Sequence, residues 1–171
     1  MRLREHYERA FAWYLRENRV PYISVDEARR ALLPDDASLS VAVGGEEAPR
    51  TLKNFDFVAY TAHGNYLVDI KGRKVTGKGT GEGRLESWVT QGDVDSLTVW
   101  ESLFRSPHAR LDDPTNGPTG DSAGFSGAFV FLYWLASPPP DGLFQEIFEF
   151  EGRWYAVRSV ELATYISRMK V

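Results

Sequence analysis

Apolar and polar positions alternate along this chain in two rhythms, and the switches between them mark its elements. From Arg2 to about Asn18, Leu3, Tyr7, Ala10, Phe11, Tyr14 and Leu15 recur every three or four residues. At about 100° per residue they gather into one arc, which predicts an amphipathic helix, stopped ahead of Pro21. Tyr22–Val25 then predicts a short strand, and Asp26 is a candidate N-cap for a short helix over 27–32, ended by Pro34. Residues 34–50, with paired acidic and paired glycine positions, predict an insertion or loop in which 39–43 is a minor strand.

Two neighbouring apolar runs follow, Leu52–Tyr60 and Asn65–Lys71, joined by Thr61-Ala-His-Gly64. A glycine-containing link of that length predicts an antiparallel hairpin. Residues 72–84 are glycine-rich and predict a loop. Asp93 opens a helix that presents Leu97, Trp100, Leu103 and Phe104 on one face and ends before Pro107. Residues 106–124 predict another loop, Phe125–Ala136 the strongest strand, and Ile147–Phe150 with Trp154–Val157 a second hairpin. Ser159 is the expected cap of a last helix running to about Met169. The order predicts an α/β domain: a mixed sheet flanked by helices, with a C-terminal β-hairpin and helix.

Composition narrows the classes. A chain of 171 residues, 43% hydrophobic and 26% charged, suits one globular domain spanning 1–171. No apolar run approaches the roughly 20 residues that cross a bilayer, and Met1–His6 does not open a signal peptide, so a cytoplasmic location and no membrane partner are expected. The absence of cysteine excludes disulfides, thiolate zinc sites and cysteine nucleophiles. The net charge of −4 argues against tight non-specific nucleic-acid binding. Locally, however, Lys71, Arg73, Lys74, Lys78 and Arg84 cluster with only Glu82 opposing them, which is either a solvated loop or a phosphate-tracking segment.

The candidate chemistry lies in the two runs. Asp69-Ile70-Lys71 is a polar–apolar–polar triplet, so its polar members share one strand face. With Asp56 on the neighbouring strand, two carboxylates could hold Mg²⁺ (or Mn²⁺) beside a phosphodiester while Lys71 stabilises developing negative charge. The bland alternative is a solvated hairpin face. Glu8, at the margin of the first helix's apolar arc, is either a further metal ligand or a helix-surface partner of an arginine.

Glu8, Asp56 in Asn54-Phe-Asp56-Phe-Val58, and Asp69-Ile70-Lys71 together resemble the PD-(D/E)xK nuclease superfamily, whose restriction-endonuclease-like core runs αβββαβ and includes archaeal Holliday-junction resolvases. The likeness covers roughly residues 2–136. The opening His6-Tyr-Glu-Arg-Ala-Phe11 also looks like a group of bacterial proteins carrying an HYExAFE sequence, with Ala12 in place of its final Glu. Asn54 stands where many superfamily members have Pro beside the acid, and the connection over 26–50 is long. The resemblance implies metal held by Glu8, Asp56 and Asp69, catalysis by these with Lys71, and contacts to nucleic acid, DNA first, from Arg73, Lys74, Lys78 and Arg84. It also implies a homodimer, because cutting two strands needs two sites. The competing expectation is a catalytically silent binding or scaffold protein on the same fold.

Other residues carry weaker signals. His6, His63 and His108 have no metal-ligand spacing, and Gly77–Gly83 lacks the pattern of a phosphate loop. Trp100 is expected in the core, whereas Trp88, in a polar stretch, is either packed or free to stack on a base.

Overall fold

A computed structural model of the chain describes residues 3–26, 40–41, 50–75, 85–104, 124–137 and 146–169. Helix α1 spans Leu3–Glu17, β1 Tyr22–Ser24, β2 Ser40–Val41, β3 Arg50–Thr51, β4 Phe57–Thr61 and β5 Gly64–Lys74. Helix α2 (Gln91–Phe104), β6 (Phe125–Leu135), β7 (Ile147–Phe150), β8 (Arg153–Glu161) and α3 (Leu162–Arg168) complete the described order. Six strands form one mixed sheet in the order β1-β4-β5-β6-β8-β7, while β2 and β3 pair separately. Within the large sheet β5 and β6 run parallel and every other pair is antiparallel. The parallel pair needs a crossover between its strands, and α2 lies within it. The expected α/β class with a mixed sheet and flanking helices is therefore observed.

Two cores cover the two sheet faces. On one, Tyr7, Ala10, Phe11 and Leu15 of α1 pack on Phe57, Ala59, Val68, Val130 and Leu132. On the other, Val94 and Leu97 of α2 and Leu162 of α3 pack on Val58, Leu67, Phe129, Phe131 and Tyr133. Alternation along β5 does the sorting: Val68 and Ile70 face α1, so Leu67, Asp69, Lys71 and Arg73 face α2 and α3. Helix α1 ends with Arg19 in the left-handed region (φ 55°) and Val20 N donating to Leu15 O at 2.9 Å, so a local cap already closes it before Pro21. The β7–β8 link is a tight two-residue turn in which Glu151 (φ 49°) and Gly152 (φ 71°) both take positive φ.

Three expected boundaries move. Residues 72–74 belong to β5 and not to a loop, since Gly72, Arg73 and Lys74 pair with Leu132, Tyr133 and Trp134. Gly72 is required there for packing: a Cβ on it would fall within the Tyr7 ring of α1. Asp69 accordingly sits in the middle of β5. Ser159 does not cap the last helix; it pairs with Val130, β8 runs on to Glu161, and α3 starts at Leu162. The tertiary ladder with β6 outweighs the local capping preference of a serine. The short helix over 27–32 and the loops over 76–84 and 106–123 lie outside the described residues, as do Lys78, Arg84 and His108. No described helix is long and apolar enough to cross a membrane.

Candidate functional site

The site grows from a mismatch in strand length. The β4–β5 ladder ends at the Phe57–Val68 pair, while β5 continues to Lys74. Just before β4, Asp56 N donates to Val68 O at 2.8 Å, and Val25 N donates to Asp56 O at 3.0 Å. The Asp56 side chain turns across to β5, where Oδ2 accepts from Ile70 N at 2.7 Å. A carboxylate thus satisfies a backbone donor that β4 is too short to reach. Asp56 is buried, at 8% exposure.

Asp69 and Lys71 project from β5 on the face covered by α2. Lys71 Nζ lies 2.9 Å from Asp69 Oδ2 and 3.3 Å from Asp93 Oδ1 of α2. Lys53 Nζ meets the same Asp93 oxygen at 2.9 Å. Three carboxylates and two ammonium groups are thus brought together from the segment before β4, from β5 and from the first turn of α2. Lys53, Asn54, Asp69, Asp93 and Trp100 line a shallow recess at this point.

Electrostatics separate the two acids. Burial pushes the Asp69 carboxyl up to about 6; Lys71 opposes this, and the nearby Asp56 and Asp93 charges reinforce it. For Asp93, burial also acts upward, but hydrogen bonds from Lys53 and Thr90 and the Lys71 charge outweigh it and hold the group well below the ordinary carboxylate value.

Asp93 and Lys53 were not legible as site residues, although Asp93 carried a signal. Thr90 N donates to Asp93 Oδ2 at 2.9 Å and Asp93 N donates to Thr90 Oγ1 at 3.2 Å. That is the reciprocal geometry of a capping box, here T-x-x-D. One carboxylate oxygen closes the helix end and the other receives the lysines. The spacing identifies a cap; only the crossover of α2 brings that cap over β5.

The remaining expected residues divide by face. Arg73 shares the Asp69 and Lys71 face, where Nη2 donates to Trp88 O at 2.8 Å and the guanidinium stacks 4.9 Å from the centre of the Trp88 ring. Lys74 points to the opposite face, with Nζ 4.7 Å from the centre of the Trp134 ring. The basic cluster of the sequence is therefore split by the sheet. Glu8 lies on α1, one residue after the Tyr7 that covers Gly72, and α1 packs on the face opposite Asp69 and Lys71. His6 is buried beside Arg153 and Tyr155 on the α1 side, and His63 is exposed in the β4–β5 turn. Trp100 packs against the α2-side core with Nε1 donating to Lys53 O at 3.0 Å.

For a metal, the donor chemistry suits a hard dication, since Asp56, Asp69 and Asp93 offer oxygens only. Crowding by two other carboxylates is part of what raises Asp69, and a dication would relieve it. As the side chains stand, lysines hold oxygens of Asp69 and Asp93, Asp56 accepts from Ile70 N, and no three acidic or imidazole groups among the described residues converge on one coordination point. The chain has no significant match among protein-family models, curated proteins or solved structures.

Proposed function

We propose that this chain is a divalent-metal-dependent nuclease that hydrolyses the nucleic-acid backbone, DNA first, on a restriction-endonuclease-like core. The observation that carries the reading is the meeting of Asp56, Asp69 and Lys71 on one face of a β-hairpin, around a buried carboxyl raised to about 6. The element order lends support. Helix α1, the meander β1-β4-β5, helix α2 and the parallel strand β6 follow the αβββαβ order that the resemblance implies, with β2 and β3 inside the long connection.

In this reading Asp56 and Asp69 hold Mg²⁺ or Mn²⁺, which when bound neutralises the phosphate and activates water. Two residues compete for the third carboxylate. Glu8 follows from the resemblance, though its helix covers the opposite sheet face; Asp93 stands on the face of Asp69, and its charge acts on it. Lys71 stands between Asp69 and Asp93 and supplies a positive charge where an oxyanion develops. With Asp69 holding a cation, Lys71 would keep its contact to Asp93 and would offer its remaining N–H donors to the phosphate.

Incubating the pure protein with plasmid, branched and single-stranded DNA plus Mg²⁺ or Mn²⁺ tests this. Cleavage is expected, abolished by Asp69→Ala. Glu8→Gln and Asp93→Asn separate the two candidate third ligands by their effect on the metal concentration required. Absence of cleavage together with absence of metal binding by calorimetry ends the reading and leaves a silent scaffold.

A further inference from the structure

Beside the carboxylate–lysine site, on the same sheet face, runs an open groove of about 1140 Å³ lined by Trp88, Phe131, Arg158, Tyr165 and Arg168 among others. Strand register ties it to the site. Lys71 of β5 pairs with Phe131 of β6, and Phe131 pairs with Arg158 of β8, so these three side chains form one row across the sheet. Pockets for small ligands run to about 1,000 Å³, and this groove lies at the top of that range and is open to solvent, so a chain can enter and leave it.

Its rim is pre-organised. Trp88 is 57% exposed, yet three hydrogen bonds fix the segment around it. Arg73 Nη2 donates to Trp88 O at 2.8 Å, Tyr133 Oη donates to Glu86 O at 3.2 Å, and Val89 N donates to Tyr165 Oη at 2.9 Å. The Arg73 guanidinium stacks on the indole, leaving an exposed aromatic platform held in one orientation. A large exposed indole held this way is a stacking surface, because stacking tolerates any base.

Two arginines of the groove can meet phosphates, alongside two glutamates, Glu86 and Glu161. Among the described residues, neither Arg158 nor Arg168 makes an ion pair, and both are exposed. The two acids of the groove keep their charge but are tied to neutral donors, Glu86 accepting from Trp88 Nε1 at 3.3 Å and Glu161 from Tyr66 Oη at 3.1 Å. Bases inside a duplex are already stacked on their neighbours and cannot reach an indole, whereas unpaired bases can.

We infer that this groove seats single-stranded nucleic acid, with a base stacked on Trp88 and backbone phosphates on Arg158 and Arg168, and leads it to Asp69 and Lys71. Arg73 acts as a positioning residue through Trp88. This deepens the nuclease reading by naming its substrate as an unpaired strand.

The experiment measures binding of the full chain in EDTA, by anisotropy, to a labelled single-stranded oligonucleotide and to the blunt duplex of the same sequence, with DNA and RNA arms. The single strand binds more tightly than the duplex. Trp88→Ala weakens it on the order of tenfold, and Trp88→Phe restores most of the loss. The Arg158→Ala/Arg168→Ala pair, which leaves Trp88 intact, weakens binding and lowers the salt slope by about 1.4. Equal affinity for duplex and single strand, or unchanged affinity in Trp88→Ala and in the arginine pair, overturns the assignment. Single-strand binding without cleavage in Mg²⁺ or Mn²⁺ keeps the groove and removes the nuclease reading; cleavage with unaltered binding in these variants does the reverse.

Discussion

Lys71 Nζ stands 3.3 Å from Oδ1 of Asp93, joining the middle of β5 to the first turn of α2. Asp93 therefore has two separable roles, closing the helix with Oδ2 and holding ammonium groups with Oδ1. Asp93→Ala loses both and is expected to cost about 2 kcal/mol. Asp93→Asn retains an oxygen for Thr90 and is expected to cost about half as much. Urea midpoints at constant m-value measure the difference. Equal losses in the two variants would place all the stability in the charge and none in the cap.

Asp69 predicts a pH dependence of stability. Its carboxyl titrates at about 6 in the folded chain against an ordinary 3.8, so the folded state holds that proton more tightly than the unfolded state. The corresponding stabilisation is complete below about pH 4 and is lost as pH rises through about 6. Asp69→Asn, a neutral side chain of the same shape, is expected to remove this slope and to raise Tm at pH 7 while abolishing cleavage. A variant that keeps the full slope between pH 4 and 6 would assign the titration to another group.

His6 produces the opposite slope. Burial, followed by the Arg153 charge, lowers its pKa from the ordinary 6.5. The unfolded chain takes up that proton first, so the stability this ring contributes is present above pH 6.5 and lost as pH falls through its lowered value. In the Asp69→Asn background, with the competing acid silent, stability is expected to fall between pH 7 and 5, and His6→Asn is expected to abolish that fall. Thermal unfolding of the single and double variants over this range reads both slopes.

Gly72 predicts a packing coupling. A Cβ there collides with the Tyr7 ring, so Gly72→Ala is expected to cost about 3 kcal/mol by displacing α1 from β5. Tyr7→Ala leaves a cavity that an added methyl partly fills. The double variant is expected to be less destabilised than the sum of the singles. Additive losses would mean that the clash is relieved by backbone movement elsewhere.

Cleavage by Lys71→Ala is expected to be lost along with some stability, on the order of 2 kcal/mol, because Asp69 and Asp93 then lose their shared ammonium in a mostly buried setting. Lys71→Arg keeps the charge and is expected to recover the stability but not the rate, since a guanidinium has a different reach and geometry. Full cleavage by Lys71→Ala would remove this residue from the proposed chemistry.

Much of this arrangement follows from local rules. The 3.6-residue rhythm over 3–17 and the period-two alternation in 55–71 are properties of the chain itself, because a helix or strand must turn its apolar side one way. The same alternation places Asp69 and Lys71 on one face regardless of what covers it. The β4–β5 hairpin follows from a glycine-containing link between two apolar runs. What the sequence could not set is which partners meet. Residues 72–74 are held in β5 by a parallel ladder with a strand more than fifty positions away, so glycine content alone misplaced them. Ser159 was drawn into β8 by the same kind of distant pairing. Asp93 and Lys53 joined Asp69 because the α2 crossover lays a helix cap over β5, and Lys74 left the basic cluster because alternation turned it to the other face. Periodicity acts between neighbours and is written in the order of residues; which carboxylate faces which ammonium depends on how distant segments pack, and that is decided only when the two cores close.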